Sequence, residues 1–171
     1  MRLRRKVCLL GAPGVGKTSL ARRLADNAFD EEFESNVSMG IFKGSLALGE
    51  VLLEMMLWDP GGSEAWTQYN RSFISGASGL AFVVDATKAR TLDHLLEAQV
   101  KGRGFIGSRP SVLIVNKIDL TEHFALTKQQ LDTAGKLDWY VAQASAKSGY
   151  NVIEAFERLG KMMLETRKAS A

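Results

Sequence analysis

The chain has 171 residues, of which 46% are hydrophobic and 24% charged, and its formal net charge is +3. This length fits one domain over residues 1–171 with a substantial core, and the composition excludes the disordered and fibrous classes. The single cysteine, Cys8, excludes a disulfide framework and a cysteine-based metal site, and its position in a predicted buried strand favours a core role. No apolar run approaches the roughly 20 residues that span a bilayer, and no export segment is found. We expect a cytoplasmic protein, and we expect it to be a monomer.

Basic residues concentrate at the two ends of the chain. They are Arg2, Arg4, Arg5 and Lys6 at one end and Lys161, Arg167 and Lys168 at the other. We favour solvated terminal charge as the interpretation, and weak contact with an anionic membrane or a nucleic acid is the alternative. Between the two possible anionic partners, a membrane surface and a nucleic acid, we expect that the nucleic acid is not a partner. Residues 168–171 contain no cysteine, so we also expect no C-terminal lipid anchor.

Apolar runs and helical periodicities alternate along the chain. Strands are predicted over residues 4–10, 41–48, 51–58, 80–85, 111–115 and 139–142, and helices over about 17–27, 64–75, 91–100, 127–134 and 152–166. Residues 28–40 are polar and acidic without a clear period, which indicates a mobile loop. The implied fold is α/β: a doubly wound, mostly parallel six-stranded sheet with one antiparallel strand and helices on both faces.

The first strand leads into the sequence GAPGVGKT, which fits the pattern G-x-x-x-x-G-K-[ST] at every fixed position. Glycines let this loop bring its N–H groups close to phosphate oxygens at the positive end of the next helix. Lys17 is predicted to reach the β- and γ-phosphates, and Thr18 to bind Mg²⁺. The alternative is a glycine-rich turn without a ligand, which the flanking strand and helix disfavour. The predicted phosphate-binding set is Gly11, Ala12, Pro13, Gly14, Val15, Gly16, Lys17, Thr18 and Ser19.

A second motif, Asp59-Pro60-Gly61-Gly62, follows a hydrophobic strand. Alone, this sequence is more typical of a plain turn. Placed roughly 40 residues after a phosphate loop, it favours a Mg²⁺-binding aspartate followed by a glycine whose N–H faces the γ-phosphate. Asp59 and Gly62 are the residues predicted for these two roles.

Two later loops have the residue types that recognise guanine. The Asp119 carboxylate can accept hydrogen bonds from guanine N1–H and the 2-amino group, whereas adenine would leave it unpaired. The stem of Lys117 can cover one face of the base while Asn116 braces the loop. In the turn Ser145-Ala146-Lys147, the Ala146 N–H is predicted to donate to guanine O6. Phe29 has two open interpretations, an aromatic edge against the base or a core position after the first helix.

With GAPGVGKT, WDPGG, NKID and SAK in this order, the chain resembles a small Ras-like GTPase, nearest to the Ras and Rab branches, over about residues 4–165. The resemblance implies the P-loop NTPase fold and a switch that binds GTP and GDP with Mg²⁺. It further implies that residues 30–40 and 60–75 contact effectors, exchange factors and activating proteins. Phosphate-loop kinases and ATPases are a rival class, which Asp119 and the turn at 145–147 disfavour.

The chain departs from this family at the position that follows the glycine of the second motif. The family places a water-orienting glutamine there, and this chain has Ser63, so we expect slow hydrolysis. Glu64 is a weaker candidate for the same task. Pro13 replaces a small residue of the phosphate loop, and proline has a fixed φ and no N–H to donate. The expected catalytic set is Lys17, Gly62 and Ser63, and a nucleotide-locked module without hydrolysis is the alternative function.

The first mobile loop should supply a further Mg²⁺ ligand. Register from Phe33 indicates Asn36, whereas the pair Met39-Gly40 indicates Ser38, which we favour because it retains a hydroxyl. The expected metal set is therefore Thr18, Ser38 and Asp59. Residues 30–40 contain no arginine, so a catalytic arginine would come from a partner. Trp66 is interpreted equally as an effector anchor or as packing for its own helix.

Overall fold

A computed structural model of the protein describes residues 1–26, 34–36, 39–61 and 71–169. Its strands are β1 (Arg2–Leu10), β2 (Glu34–Asn36), β3 (Met39–Leu48), β4 (Val51–Asp59), β5 (Gly79–Asp85), β6 (Ser111–Asn116) and β7 (Tyr140–Gln143). Its helices are α1 (Lys17–Asp26), α2 (Arg71–Ile74), α3 (Arg90–Ile106), α4 (Lys128–Gly135) and α5 (Val152–Ala169), with a 3₁₀ turn at Thr121–His123.

The strands form one sheet in the order β2-β3-β4-β1-β5-β6-β7. Strand β1 pairs in parallel with β4 and β5, and β6 and β7 continue the parallel part of the sheet. Strand β3 is antiparallel to β4, as expected from the two-residue turn at Gly49-Glu50. The predicted α/β class and all six predicted strands are confirmed. Strand β2 is an addition at the sheet edge, where residues 34–36 pair with β3 inside a segment predicted as a loop.

Two hydrophobic cores lie on opposite faces of the sheet. Leu24 of α1 and Phe156 of α5 belong to one core, and Leu95 of α3 and Trp139 belong to the other. Strands β5 and β6 are buried along their whole length, which explains their nearly continuous apolar sequence. Cys8 is buried, as predicted, and burial raises the pKa of its thiol to about 11.

Helix α3 extends to Ile106, beyond the predicted end near residue 100. Gly102 and Gly104 lower the local helix propensity by about 1 kcal/mol each, so the sequence pattern ends before the helix does. Over the ranges 1–26, 34–36, 39–61 and 71–169, no helix combines the length and apolar character that crossing a membrane requires.

The side chains of Arg2 and Arg4, at the start of β1, are 64% and 66% exposed, in keeping with solvated terminal charge, and they also have an internal partner. Arg2 and Arg4 pair with the buried carboxylate of Glu54 at 2.8 and 3.3 Å, and Lys43 lies 3.5 Å from it. Burial opposes ionisation of Glu54, but these three cations hold its pKa below the usual range.

Lys6, further along β1, contacts α2 and β4. Its Nζ donates to the carbonyl oxygens of Phe73, in α2, and Ser75, just after α2. It also lies 4.0 Å from the centre of the Trp58 ring on β4.

Candidate functional site

The loop between β1 and α1 has the backbone that its glycines predict. Gly14 and Gly16 have φ values of +77° and +102°, a region that other residues rarely adopt. A Cβ at Gly11 would lie 2.2 Å from the Val83 carbonyl oxygen, so the loop approaches β5 more closely than any other residue allows. Pro13 and Gly14 are exposed at the outer edge of the loop. Helix α1 then begins at Lys17, with its unpaired N–H groups beside the loop.

Lys17 lies inside this loop and is 5% exposed. Its Nζ donates to the carbonyl oxygens of Gly11 and Ala12 at 2.9 and 3.0 Å. Burial lowers the pKa of Lys17, and the charge of Asp59 partly opposes that effect. An ammonium group buried in this way is stabilised by a second anion, so the loop is suited to bind a phosphate.

Thr18 and Asp59 come together although 41 positions separate them in the chain. The Thr18 hydroxyl donates to Asp59 Oδ2, and the Gly61 N–H donates to Oδ1 at 3.0 Å. Asp59 is 2% exposed at the end of β4. A hydroxyl and a carboxylate oxygen in direct contact are the hard oxygen donors that Mg²⁺ prefers, so these two side chains could hold the ion.

Four residues predicted for the site lie outside the described part of the chain: Phe29, Ser38, Gly62 and Ser63. The same is true of Glu64 and Trp66. Asn36, the alternative to Ser38, lies in β2 and pairs with Met39. The roles predicted for these residues stay predictions.

Asn116, at the end of β6, joins the phosphate loop to the turn after β7. Its Nδ2 donates to the Val15 carbonyl oxygen at 2.9 Å, and its Oδ1 accepts from the Ala146 N–H at 2.9 Å. A Cβ at Gly16 would lie 2.2 Å from Asn116 Nδ2, so the glycine also makes room for this amide. The Ala146 N–H predicted to bind guanine O6 therefore already has a partner, and an oxygen ligand would have to share it.

Lys117 has a left-handed backbone with φ of +68° and spans the space between two loops. Its Nζ donates to the Gly14 carbonyl oxygen and to Asp85 Oδ2, both at 2.7 Å. Asp85 is 1% exposed, and Thr87 donates to its other oxygen through N–H and hydroxyl. Burial opposes ionisation of Asp85, but the Lys117 and Thr87 hydrogen bonds hold its pKa below the usual range. The Lys117 stem is thereby fixed across the site.

Asp119 follows Lys117 on the loop after β6 and is exposed. The buried Ser145 hydroxyl donates to Asp119 Oδ1 at 2.6 Å and accepts from the Ser148 N–H at 3.1 Å. This contact orients the carboxylate and leaves it acceptor positions for a ligand.

A cavity of about 340 Å³ lies among these residues. This volume falls within the range of small-molecule sites, and the lining includes the loop after β1 and the carboxyl end of β6, where ligands of open α/β sheets bind. Its lining residues are Gly16, Ser19, Asn116, Lys117, Asp119, Leu120, Ala146 and Lys147. Phosphate-loop, base-loop and turn residues, predicted separately, thus share one site.

Sequence reasoning missed Leu120, which lines the cavity, and also Asp85 and Arg23, which hydrogen-bond residues of the site. Asp85 ends a buried strand, which is the same signal that identified Asp59, but no glycine pair follows it. Arg23 donates to the carbonyl oxygens of Ala146 and Lys147 from α1. No local pattern marks Arg23, because its partners lie over 120 positions away.

Replacing Asp85 by asparagine is expected to release Lys117 from its ion pair. The lysine loses its charged partner while the Gly14 carbonyl remains, so a bound nucleotide should dissociate about tenfold faster. The rate of release of a fluorescent nucleotide measures the effect. Asp93→Asn, at an exposed position of α3, is the matched control. Equal release rates for the two variants would contradict the assigned contact.

The fold and the joined loops define a nucleotide-binding α/β protein of the phosphate-loop class. Comparison with known proteins gives the particular family. The model of the Ras family matches residues 6–165, and the chain belongs to that family. Human Ras-related protein Rab-7b is 30% identical over 163 residues, which cover 93% of this chain and 82% of the relative. Ras-related protein RABC1 of Arabidopsis thaliana is 30% identical over 170 residues, which cover 97% of this chain and 80% of the relative. Ras-related protein Rab-18-B of Danio rerio is 29% identical over 167 residues, or 94% of this chain and 80% of the relative.

Proposed function

We propose that this chain is a guanine-nucleotide switch that binds GTP and GDP with Mg²⁺ in one domain over residues 1–171 and hydrolyses GTP slowly. Membership of the Ras family supports GTPase activity in general. The single observation that carries the specific proposal is Asn116, which hydrogen-bonds the phosphate loop on one side and the turn at 145–147 on the other. Such a bridge fixes the distance between a phosphate subsite and a base subsite.

The phosphate end of the nucleotide is assigned to the loop at 11–18 and the first turn of α1. Lys17 neutralises the β- and γ-phosphates. The negative charge of these phosphates in turn offsets the free-energy cost of burying the Lys17 ammonium group. Thr18 and Asp59 hold Mg²⁺, and Ser38 is the proposed third ligand. When bound, Mg²⁺ supplies positive charge against the phosphate oxygens. Gly62 is assigned to the γ-phosphate by residue type alone.

The base end is assigned to the cavity beside Asp119. The Asp119 carboxylate accepts from guanine N1–H and the 2-amino group, while Ser145 keeps it oriented. The Ala146 N–H, shared with Asn116, donates to guanine O6. The Lys117 stem covers one face of the base, and Phe29 is the candidate for an aromatic contact with the base. Adenine has an amino group in place of O6 and neither an N1–H nor a 2-amino group, which predicts rejection of about 10⁴-fold.

Displacement of fluorescent GDP from the Mg²⁺-loaded protein tests this assignment. Unlabelled GDP should displace it in stoichiometric amounts, whereas ADP should need roughly 10⁴-fold more. Equal displacement by the two would remove the guanine assignment and favour the rival class of phosphate-loop ATPases and kinases.

Slow hydrolysis is proposed from residue type, since Ser63 occupies the position of the family's water-orienting glutamine. Ser63→Gln is expected to speed single-turnover hydrolysis of bound GTP, because the longer amide can orient the attacking water. Phosphate release after mixing with Mg²⁺ measures the rate. Ser63→Ala, which has neither the serine hydroxyl nor the glutamine amide, is the control. An unchanged rate in Ser63→Gln would place the limit elsewhere, with Pro13 the next residue to test.

A nucleotide-locked module without hydrolysis is the second candidate function, and two features of the sequence favour it: Ser63, and the open choice between Ser38 and Asn36 for the third Mg²⁺ ligand. In either case the protein acts through other proteins. We propose that effectors, exchange factors and activating proteins contact residues 30–40 and 60–75, that the protein is a cytoplasmic monomer, and that a catalytic arginine comes from a partner.

A further inference from the structure

Arg23 lies on α1, one helical turn after Ser19, and contacts the turn that follows β7. Its Nε and Nη2 donate to the Ala146 carbonyl oxygen at 3.1 and 3.0 Å, and Nη2 also donates to the Lys147 carbonyl oxygen at 2.7 Å. Since α1 starts in the phosphate loop, these hydrogen bonds join the helix of one subsite to the turn of the other.

The two carbonyl groups belong to successive peptide units. Because each unit is planar, fixing its oxygen also fixes its N–H, which belongs to Lys147 in the first unit and Ser148 in the second. The Ser148 N–H donates to Ser145 Oγ at 3.1 Å, and Ser145 Oγ donates to Asp119 Oδ1 at 2.6 Å. A continuous chain of contacts therefore runs from Arg23 to the carboxylate assigned to guanine.

The guanidinium group suits this position better than other side chains. Its planar fork reaches two carbonyl oxygens at once, whereas a lysine ammonium is a single point of charge. Arg23 is half-buried, so its charge is partly shielded from water. The turn also passes close to its stem: a Cβ at Gly149 would lie 3.7 Å from Arg23 Cδ.

We propose that Arg23 is a positioning residue for guanine recognition. Through the carbonyl groups of Ala146 and Lys147 it holds residues 145–148 in the orientation in which Ser145 presents Asp119 to the base. This inference rests on the proposed guanine-binding function and adds to it a residue on the phosphate-loop helix that sets base selectivity.

The test compares Arg23→Met, which keeps the stem and removes the guanidinium, with Arg22→Met at the neighbouring exposed position. Release rates of fluorescent GDP and fluorescent IDP are measured from Mg²⁺-loaded protein. IDP lacks the 2-amino group that Asp119 accepts from. GDP should leave Arg23→Met about tenfold faster than wild type, while IDP release changes less, so the preference for GDP over IDP falls. Arg23→Lys should lie between, and Arg22→Met should match wild type.

Two results would overturn the positioning role. One is GDP release from Arg23→Met at the rate of Arg22→Met, and the other is equal acceleration of GDP and IDP, which indicates general loosening of the fold. If Arg23→Met does not fold, Arg23→Lys decides, because the GDP preference must fall there too. Wild-type protein that retains neither nucleotide would instead overturn the proposed function itself.

Discussion

Lys17→Ala is expected to abolish nucleotide binding. In wild-type protein, Mg²⁺·GDP at about 1,000 times its Kd should raise the melting temperature by roughly 10 °C, as binding to the native state alone predicts for this chain length. The alanine variant should show almost none of this rise, because the loop loses the cation that neutralises the phosphates and keeps only N–H donors. Thermal unfolding with and without nucleotide measures the difference.

The ligand-free variant provides an internal check on the same prediction. Burial lowers the pKa of Lys17 and the charge of Asp59 only partly opposes that effect, so the buried ammonium group gains from a bound anion. Loss of the side chain should therefore affect the melting temperature far more with nucleotide than without. Lys128→Ala, at an exposed position of α4, is the matched control and should retain the full rise. A rise in Lys17→Ala equal to that of the control would remove the phosphate-loop assignment.

Asp119→Asn is expected to change the base that the protein selects. The amide keeps the shape of the carboxylate but offers an N–H where guanine also presents donors, so guanine affinity should fall by roughly 10⁴-fold. Xanthine presents a 2-oxo group that can accept from the amide, and its nucleotides should bind the variant better than guanine nucleotides do. Competition of GDP and XDP against a fluorescent XDP measures the change.

Asp132→Asn, at an exposed position of α4, tests whether any loss of negative charge has this effect, and it should keep the wild-type preference. The Ser145 hydroxyl can hydrogen-bond either a carboxylate or an amide, so the turn after β7 should keep its place in Asp119→Asn. Guanine preference that persists in Asp119→Asn would show that Asp119 does not select the base.

The sheet was predictable because its evidence is local. Buried parallel strands such as β5 and β6 have continuous apolar sequences, and glycine and lysine at fixed spacing identify the loop before α1. Strand β2 could not be predicted, since its three polar residues form a strand only by pairing with β3. The length of α3 is underestimated because Gly102 and Gly104 lower the helix propensity in a stretch where the helix continues.

The contacts that join the loops were less predictable. Motif order indicated that Asn116 braces its loop, but only the fold shows that Asn116 Oδ1 takes the Ala146 N–H. Asp85 and Arg23 reach their partners across 32 and 123 positions, and neither spacing follows a helix or strand period. Such contacts depend on how strands and helices are placed in three dimensions, which residue patterns along one chain do not encode.

Chromatography of the nucleotide retained over time tests the central claim most directly. Protein is loaded with equal GTP and ATP in Mg²⁺, freed of unbound nucleotide, and sampled until the bound fraction is constant. The proposed function predicts that guanine nucleotide is retained almost alone and that bound GTP converts slowly to GDP. Retention of adenine nucleotide in comparable amount, or of no nucleotide at all, would contradict it.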